Sequence, residues 1–213
     1  EETFTTDDIR NTYAVGGVDL SSTTDLSCAT LLLMKPGSEK KYALQQYFLP
    51  RDLLEERVRE DKIPYDRWAE RGLLTLCEGN KVNYSDVRAW FAKMLNEHEI
   101  YTVCLGYDQS TSQYWVDEMK ERGFEMEKVR QGAQTLSQPM KEMGADLQAK
   151  KINYNNNPIL KWCLTNTAVK RDDNDNIRPI KGQNQRQRID GAVSLLIAYT
   201  VMFNHIEDYK ALI

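Results

Sequence analysis

Three aspartates each lie where an apolar segment meets a loop. Asp19 closes the segment 13–20, Asp108 closes the segment 100–108, and Asp190 opens the segment 189–199. A carboxylate at the edge of a buried element is costly to desolvate unless a cation compensates its charge. Three such groups at one point suit hard divalent cations, which prefer oxygen ligands. A single aspartate in this position is more often a turn or cap residue, so the prediction of a metal site depends on all three and on their order.

Composition describes an ordinary globular chain. Its 213 residues are 41% hydrophobic and 28% charged, which predicts one domain spanning 1–213. The net charge of −4 argues against a broad surface that coats nucleic acid, but a local basic groove is compatible with it. No apolar run approaches the roughly 20 residues of a membrane span, so no membrane contact is predicted. The chain starts with Glu1 rather than Met, which suggests a domain of a longer protein.

The four cysteines are scattered, with no CxxC pair, and the chain has only two histidines. This spacing argues against a zinc site and favours reduced core thiols in a cytosolic compartment. His98 and His205 fall on predicted helices without acidic partners at motif spacing, so both are interpreted as structural.

The hydrophobic patterns predict strands and helices in a definite order. Three antiparallel strands come first, followed by a helix with Ser85 as its N-cap and by two parallel strands in βαβ crossovers. The five predicted strands are 15–20, 28–34, 41–49, 100–105 and 124–129. This order predicts an α/β fold with the RNase H-like mixed five-stranded sheet, three strands antiparallel and two parallel, flanked by helices.

The last third of the chain contributes helices and a hairpin. Pro158 suits the first position of a helix, and the segment 168–180 predicts a hairpin that turns at 172–176. The apolar stretch 189–203 predicts a buried helix, with Asp190 in its first turn.

In this sheet Asp19 and Asp108 stand side by side at the carboxyl ends of neighbouring parallel strands. Asp190 reaches the same place if the last helix packs across the central strands. Two Mg²⁺ or Mn²⁺ ions would relieve the repulsion among the three carboxylates, and they can also activate water and stabilise the leaving oxygen of a phosphodiester.

Six short motifs in order carry a resemblance to a known family. The chain resembles the C-terminal nuclease domain of tailed-phage large terminase subunits, and the similarity extends over nearly its whole length. The motifs are Gly17-Val-Asp-Leu-Ser-Ser22 with Asp25-Leu26, Leu105-Gly-Tyr-Asp108, Gln131-Gly with Leu136-Ser-Gln-Pro-Met-Lys141, Asn157-Pro-Ile-Leu-Lys-Trp162, Lys181, and Arg188-Ile-Asp-Gly-Ala192.

The resemblance implies a two-metal endonuclease that cuts concatemeric viral DNA during genome packaging, with Asp19, Asp108 and Asp190 as metal ligands. It implies double-stranded DNA as substrate, and the ATPase motor of the same polypeptide, the portal and the small terminase subunit as partners. The place of action is then the bacterial host cytoplasm, at the procapsid portal. The phosphate-binding GxxxxGK[ST] loop of an ATPase is absent from this sequence. Some relatives carry a further acidic residue where this sequence has Gly191, which puts a fourth ligand in doubt.

Basic residues cluster before the last helix and are candidates for contact with DNA phosphates. The sequence is equally compatible with a solvated loop that does not contact DNA. The candidates are Lys170, Arg171, Lys181, Arg186 and Arg188. Asp25 is a further candidate ligand, although its turn position favours a structural role.

Two rival functions remain compatible with the sequence. One is another RNase H-like enzyme, a junction resolvase or transposase core, which a preference for branched DNA or strand transfer would reveal. The other is an inactive prophage remnant that binds DNA or a portal without cutting, which the absence of Mn²⁺-dependent nicking would reveal.

Overall fold

The computed structural model describes residues 2–21, 26–183 and 187–213. Strands alternate with helices along most of the chain. The strands are β1 Thr12–Asp19, β2 Ser27–Met34, β3 Lys41–Pro50, β4 Leu74–Cys77, β5 Ile100–Tyr107, β6 Met126–Lys128, β7 Ile152–Asn153, β8 Thr167–Arg171 and β9 Ile177–Lys181.

Most of the helices follow or precede a strand directly, as expected for crossover connections. The α-helices are α1 Leu54–Asp61, α2 Tyr65–Glu70, α3 Tyr84–His98, α4 Gln113–Glu121, α5 Ala133–Gln148, α6 Pro158–Asn166, α7 Asp190–Asn204 and α8 Ile206–Leu212. Within the described part of the chain, no helix combines the length and the apolar character needed to cross a bilayer.

The main sheet has the strand order β4-β3-β2-β1-β5-β6. Strands β1, β2 and β3 form the antiparallel meander, and β5 and β6 extend it in parallel to β1. The predicted α/β class and the predicted five-stranded order are therefore confirmed. Two short strands were not predicted: β4 and β7 both pair in parallel with β3, at its opposite ends.

Helices cover both faces of the sheet. Strand alternation sends Val18 and Leu31 into the core under α3 and α4, whereas Val15 and Leu32 pack on the other face under α5 and α7. Helix α7 is apolar nearly all round, and eleven of its fifteen residues are buried. Burial on every side is what such a helix requires.

Two glycines form the surface on which α7 lies. A Cβ atom at Gly17 would be 2.4 Å from the backbone nitrogen of Ala198 and 2.5 Å from the carbonyl oxygen of Ser194. At Gly106 a Cβ would be 2.6 Å from Val201 and 2.7 Å from Ile197. The backbone of α7 therefore contacts β1 at a separation that only glycine permits.

A buried chain of hydrogen bonds joins α7 to the first three strands. Gln45 on β3 donates its amide to Thr30 Oγ1 at 2.8 Å, and Thr30 lies 2.7 Å from Ser194 Oγ. Ser194 in turn donates to the carbonyl oxygen of Gly17 at 3.0 Å. Because each polar atom has a partner, the chain fixes the position of α7 without the cost of an unsatisfied buried group.

Two local expectations differ from the structure. The N-cap of α3 is Asn83, whose side chain accepts from the backbone N–H of Ser85 at 3.1 Å, so the prediction of Ser85 as the cap was wrong by two residues. The helix α8 was not predicted, because its seven residues are too few to show a clear periodicity.

Candidate metal-dependent active site

Asp19 and Asp108 lie at the carboxyl edge of two adjacent parallel strands. The register pairs Val18 with Tyr107, so the two aspartates follow at neighbouring positions. Gly17 and Gly106 face α7, and side chains two residues further along a strand return to the same face. Both carboxylates therefore lie on the α7 side of the sheet.

Asp190 is brought to this edge by the packing of α7. It is the first residue of the helix, and Ser194, one turn later, is hydrogen-bonded to the carbonyl of Gly17. One helical turn spans about 5.4 Å, and the two residues from Gly17 to Asp19 span about 6.6 Å. The helix thus starts beside the end of β1.

Asp190 and Asp108 both lie close enough to Asp19 for their charges to affect its pKa. Burial, then the charge of Asp190, then the charge of Asp108 raise the pKa of Asp19 well above its usual range. Lys181 at the end of β9 opposes this shift in pKa. The structure therefore brings together the three predicted aspartates and one of the predicted basic residues.

A tight turn after β5 orients Asp108. Its Oδ1 accepts from the backbone N–H groups of Ser110 and Thr111, at 2.9 and 3.1 Å, and from the hydroxyl of Ser110 at 2.6 Å. One carboxylate oxygen thus anchors the side chain at the mouth of the site. The sequence Asp-Gln-Ser-Thr is typical of such a turn.

Gly191 has a steric role beside Asp190. A Cβ atom there would lie 2.1 Å from the hydroxyl of Tyr47, which is fully buried and donates to Gln45 Oε1 at 2.6 Å. The carbonyl of Gly191 accepts from Gln45 Nε2 at 2.9 Å. The start of α7 is therefore packed against a buried, hydrogen-bonded aromatic ring.

Arg188 does not occupy the exposed position expected for a DNA contact. The residue is 6% exposed, and its Nε lies 3.7 Å from Asp61 Oδ2, on a side chain that is 3% exposed. Its carbonyl accepts from Asn166 at 3.0 Å. Arg188 therefore anchors the chain two residues before Asp190, and its burial argues against the predicted contact with a DNA phosphate.

Asp61 was missed by sequence reasoning, because it ends the strongly charged helix α1, and charged runs of this kind usually form solvated faces. Tyr65 donates to the same carboxylate oxygen at 2.8 Å. No local pattern signals the pair of Asp61 and Arg188, since the two are distant in the chain and meet only through folding.

The other basic candidates take different positions. Lys170 and Arg171 lie exposed on β8, and Arg171 forms an ion pair with Asp175 in the hairpin turn. Arg186 and the candidate ligand Asp25 lie outside the described residues. Lys181 ends the second strand of this hairpin next to the site, whereas Lys170 and Arg171 lie towards its turn, which also carries Asp172, Asp173 and Asp175.

Tyr84 at the start of α3 was also missed. Its hydroxyl donates to the carbonyl oxygen of Ser21, two residues after Asp19, at 3.2 Å. Burial, and after it the charge of Asp108, raise the pKa of its phenol. An aromatic side chain therefore borders the site on the side of the sheet that α3 covers.

The comparison with protein families defines the class. The family described as terminase large subunit, endonuclease domain, matches residues 3–206. The chain therefore belongs to this family, and the resemblance noted in the sequence is confirmed.

Two curated proteins are similar to the chain. The large terminase subunit of Enterobacteria phage HK97 is 26% identical over 192 residues, which are 89% of this chain and 37% of that protein. The protein YmfN of Escherichia coli K12 is 26% identical over 156 residues, which are 68% of this chain and 34% of that protein. The chain thus spans about a third of the length of the curated relatives it matches.

Solved structures support the fold. The crystal structure of the HK97 large terminase gives a TM-score of 0.78 at 23% identity, covering 89% of this chain and 39% of that one. The large terminase nuclease of thermophilic phage G20c with bound magnesium gives a TM-score of 0.54 at 14% identity. The match covers 88% of this chain and 80% of that one. That nuclease has also been solved with bound cobalt.

Proposed function

We propose that this domain is a two-metal-dependent endonuclease that hydrolyses phosphodiester bonds of double-stranded DNA. Asp19, Asp108 and Asp190 would be the ligands of two Mg²⁺ or Mn²⁺ ions. The observation that carries the proposal is the meeting of these three side chains at one edge of the sheet, where two of the charges raise the pKa of the third.

The residues fit hard divalent ions. All three side chains offer carboxylate oxygens, which magnesium and manganese prefer. The repulsion and burial that raise the pKa of Asp19 would be offset by cations placed among the carboxylates. Two such ions, when bound, lower the pKa of an attacking water and stabilise the charge of the leaving 3′ oxygen.

The chain's own residues hold the ligands in place. The turn at Ser110 and Thr111 orients Asp108, and the anchored start of α7 orients Asp190 at the positive end of its helix dipole. Lys181 supplies a positive charge near Asp19, where a DNA phosphate would also be attracted. We therefore assign Lys181 to the substrate side of the site.

The biological role we propose is the cutting of concatemeric viral DNA during genome packaging. The partners would be the ATPase motor of the same polypeptide, the portal and the small terminase subunit, in the host cytoplasm at the procapsid. Membership of the terminase family and the similarity to the HK97 large subunit support this role over a resolvase or transposase.

A plasmid assay tests the proposed activity. We expect the domain to convert supercoiled plasmid to nicked and linear forms with Mn²⁺ or Mg²⁺, and an excess of chelator to stop the reaction. Cleavage sites should show no strong sequence preference. Undiminished cleavage in the chelator would contradict the metal requirement, a strong preference for four-way junctions would favour a resolvase, and no cleavage with either ion would favour the inactive remnant.

The exposed hairpin is expected to provide phosphate contacts. Each phosphate contact contributes about 0.9 to the slope of log affinity against log salt on duplex DNA. The double substitution of Lys170 and Arg171 by alanine should therefore lower the slope by about 1 to 2 and weaken binding at low salt. Filter binding or fluorescence anisotropy over a salt series measures both quantities.

A matched control removes two lysines on the opposite face of the sheet. Lys93 on α3 and Lys120 on α4 are both exposed. Their double replacement by alanine changes the net charge equally and should leave the salt slope unchanged. Equal effects of the two double variants would show that only net charge matters and that β8 does not contact DNA.

A further inference from the structure

A second group of ligating side chains lies on the α7 side of the sheet, outside the aspartate site. Cys104 on β5, Glu127 on β6 and His205 after α7 place one ligand atom each within 4.8 Å of the other two. Among the described residues, no other set of three histidine, cysteine or acidic side chains meets this criterion. Cys104 precedes Asp108 by four residues, about 13 Å along a strand, so the two groups are separate.

One of the two measured distances is close to that of a tetrahedral site, and the other is too short by about 1 Å. Cys104 Sγ lies 3.8 Å from Glu127 Oε2, and His205 Nε2 lies 2.5 Å from the same oxygen. Around a tetrahedral zinc ion, with bonds of about 2.0–2.3 Å, neighbouring ligand atoms are about 3.3–3.6 Å apart. The imidazole would need to withdraw by about 1 Å from Glu127, and the thiol would need almost no movement.

The three ligands are held by the fold. The other oxygen of Glu127 accepts from the side chain of Asn204 at 2.8 Å, which orients the carboxylate as the outer partners of a metal ligand do. Tyr209 fixes the corner after His205, because its hydroxyl donates to the carbonyl of Tyr13 at 2.8 Å and accepts from the backbone of Met34 at 2.9 Å.

The surroundings permit entry of a cation. A cavity of about 500 Å³ lies over the group, and its lining includes Glu125 and Asp208 besides the three ligands. Cys104 is 9% exposed, while the side chain of His205 is 46% exposed. The sulfur is thus protected, the imidazole is accessible, and further carboxylates lie nearby.

We propose that Cys104, Glu127 and His205 form a binding site for a zinc-type divalent ion, distinct from the aspartate site. A thiolate, an imidazole and a carboxylate suit zinc, whereas an all-oxygen set suits magnesium. The ion would connect the two outer parallel strands to the end of α7 and would leave a fourth position for water. The sequence alone argues against zinc because these ligands are far apart in the chain and meet only in the folded protein.

The cost of binding is the loss of the thiol proton. Burial first, and then the carboxylates of Glu127 and Glu125, raise the pKa of Cys104 to about 12, so the metal-free thiol is protonated. Zinc coordination releases that proton and places a positive charge between groups that otherwise repel a thiolate.

Zinc titration of the chain tests the proposal. We expect calorimetry to show one Zn²⁺ bound per chain when Asp19 and Asp108 are both replaced by asparagine, and a rise in melting temperature of roughly 5–10 °C when free zinc exceeds its dissociation constant a hundredfold. Cys104→Ser and His205→Ala should each weaken binding at least about tenfold. With Co²⁺, the wild-type chain should show thiolate-to-metal charge-transfer absorption that Cys104→Ser lacks.

The controls separate this site from other thiols and from the aspartates. Cys77→Ser removes a buried thiol elsewhere, His98→Ala removes the other imidazole, and the double substitution of Asp19 and Asp108 by asparagine disables the aspartate site. All three should retain the zinc affinity of the wild type. Since His205 is exposed, its alanine variant should melt at the wild-type temperature without metal. Absence of zinc binding by the wild type, unchanged binding in both ligand variants, or loss of binding only in the aspartate double variant would overturn the proposal.

Discussion

Replacing Asp19, Asp108 or Asp190 with asparagine is expected to reduce Mg²⁺- and Mn²⁺-dependent DNA cleavage to below about one per cent of the wild-type rate. Each change removes a ligand charge while nearly keeping the side-chain volume. Loss of a single preorganised group that stabilises transition-state charge typically costs about 10²–10³ in rate, and a lost metal ligand should cost at least as much. Initial rates of plasmid nicking, at several metal concentrations, measure the effect.

The thermal stability of the metal-free protein should rise or stay the same in Asp19→Asn, although the cleavage rate falls. Burial and two like charges raise the pKa of Asp19, so its ionised form destabilises the metal-free fold. This penalty is absent at low pH, where Asp19 is protonated in both the folded and the unfolded protein. It grows as the pH rises above the pKa that Asp19 has in the unfolded protein. Asp19→Asn should therefore melt at the same or a higher temperature than wild type at neutral pH without metal.

The matched control is Asp117→Asn, on the exposed surface of α4. It should cleave at the wild-type rate. If any of the three site variants also cleaved at that rate, the corresponding residue would not be a metal ligand, and full activity in all three would refute the nuclease proposal.

Gly191→Val should impair cleavage by at least about tenfold and destabilise the fold by about 1–3 kcal/mol. The new side chain would collide with the ring of Tyr47, whose hydroxyl is already fixed by Gln45. Either the ring or the first turn of α7 must move, and Asp190 moves with that turn. Misplacement of a ligand by about 1 Å is enough to cost two orders of magnitude in rate.

Gly123→Ala gives the comparison for this variant. Gly123 has a φ of +90° with open space around its missing side chain, so alanine there introduces backbone strain without a collision. The cost should be about 1–3 kcal/mol of stability, and cleavage per folded molecule should be normal. If both glycine variants cleaved normally well below their melting temperatures, Gly191 would have no role in placing Asp190.

The central part of the site could be predicted because its signals are local. Asp19 ends β1 and Asp108 directly follows β5, and the order of elements places these two apolar strands side by side. The prediction of Asp190 required further evidence, since the helix dipole favours an acidic residue in the first turn of any helix. Only the apolar character of α7 indicated that this helix is buried across the sheet.

The errors concern residues whose roles depend on distant partners. Arg188 belongs to a basic run, and the run alone does not show that Asp61 buries and pairs with it. His205 was expected on a helix without an acidic partner at motif spacing, yet it lies between α7 and α8 and contacts Glu127, which is distant in the chain. The strands β4 and β7 are too short, at four and two residues, to have a recognisable pattern of their own.

The close packing of α7 on Gly17 also determines when the carboxylates of Asp19, Asp108 and Asp190 can come together during synthesis. Ser194 and Ala198 contact a strand that leaves the ribosome more than 170 residues earlier. Asp19 and Asp108 can be aligned once β5 has paired with β1, but Asp190 joins them only after α7 has been made and released. Contacts so distant in the chain close slowly. A ribosome-bound intermediate therefore carries only two of the three carboxylates at this edge, and chains truncated before residue 190 should remain in that state permanently.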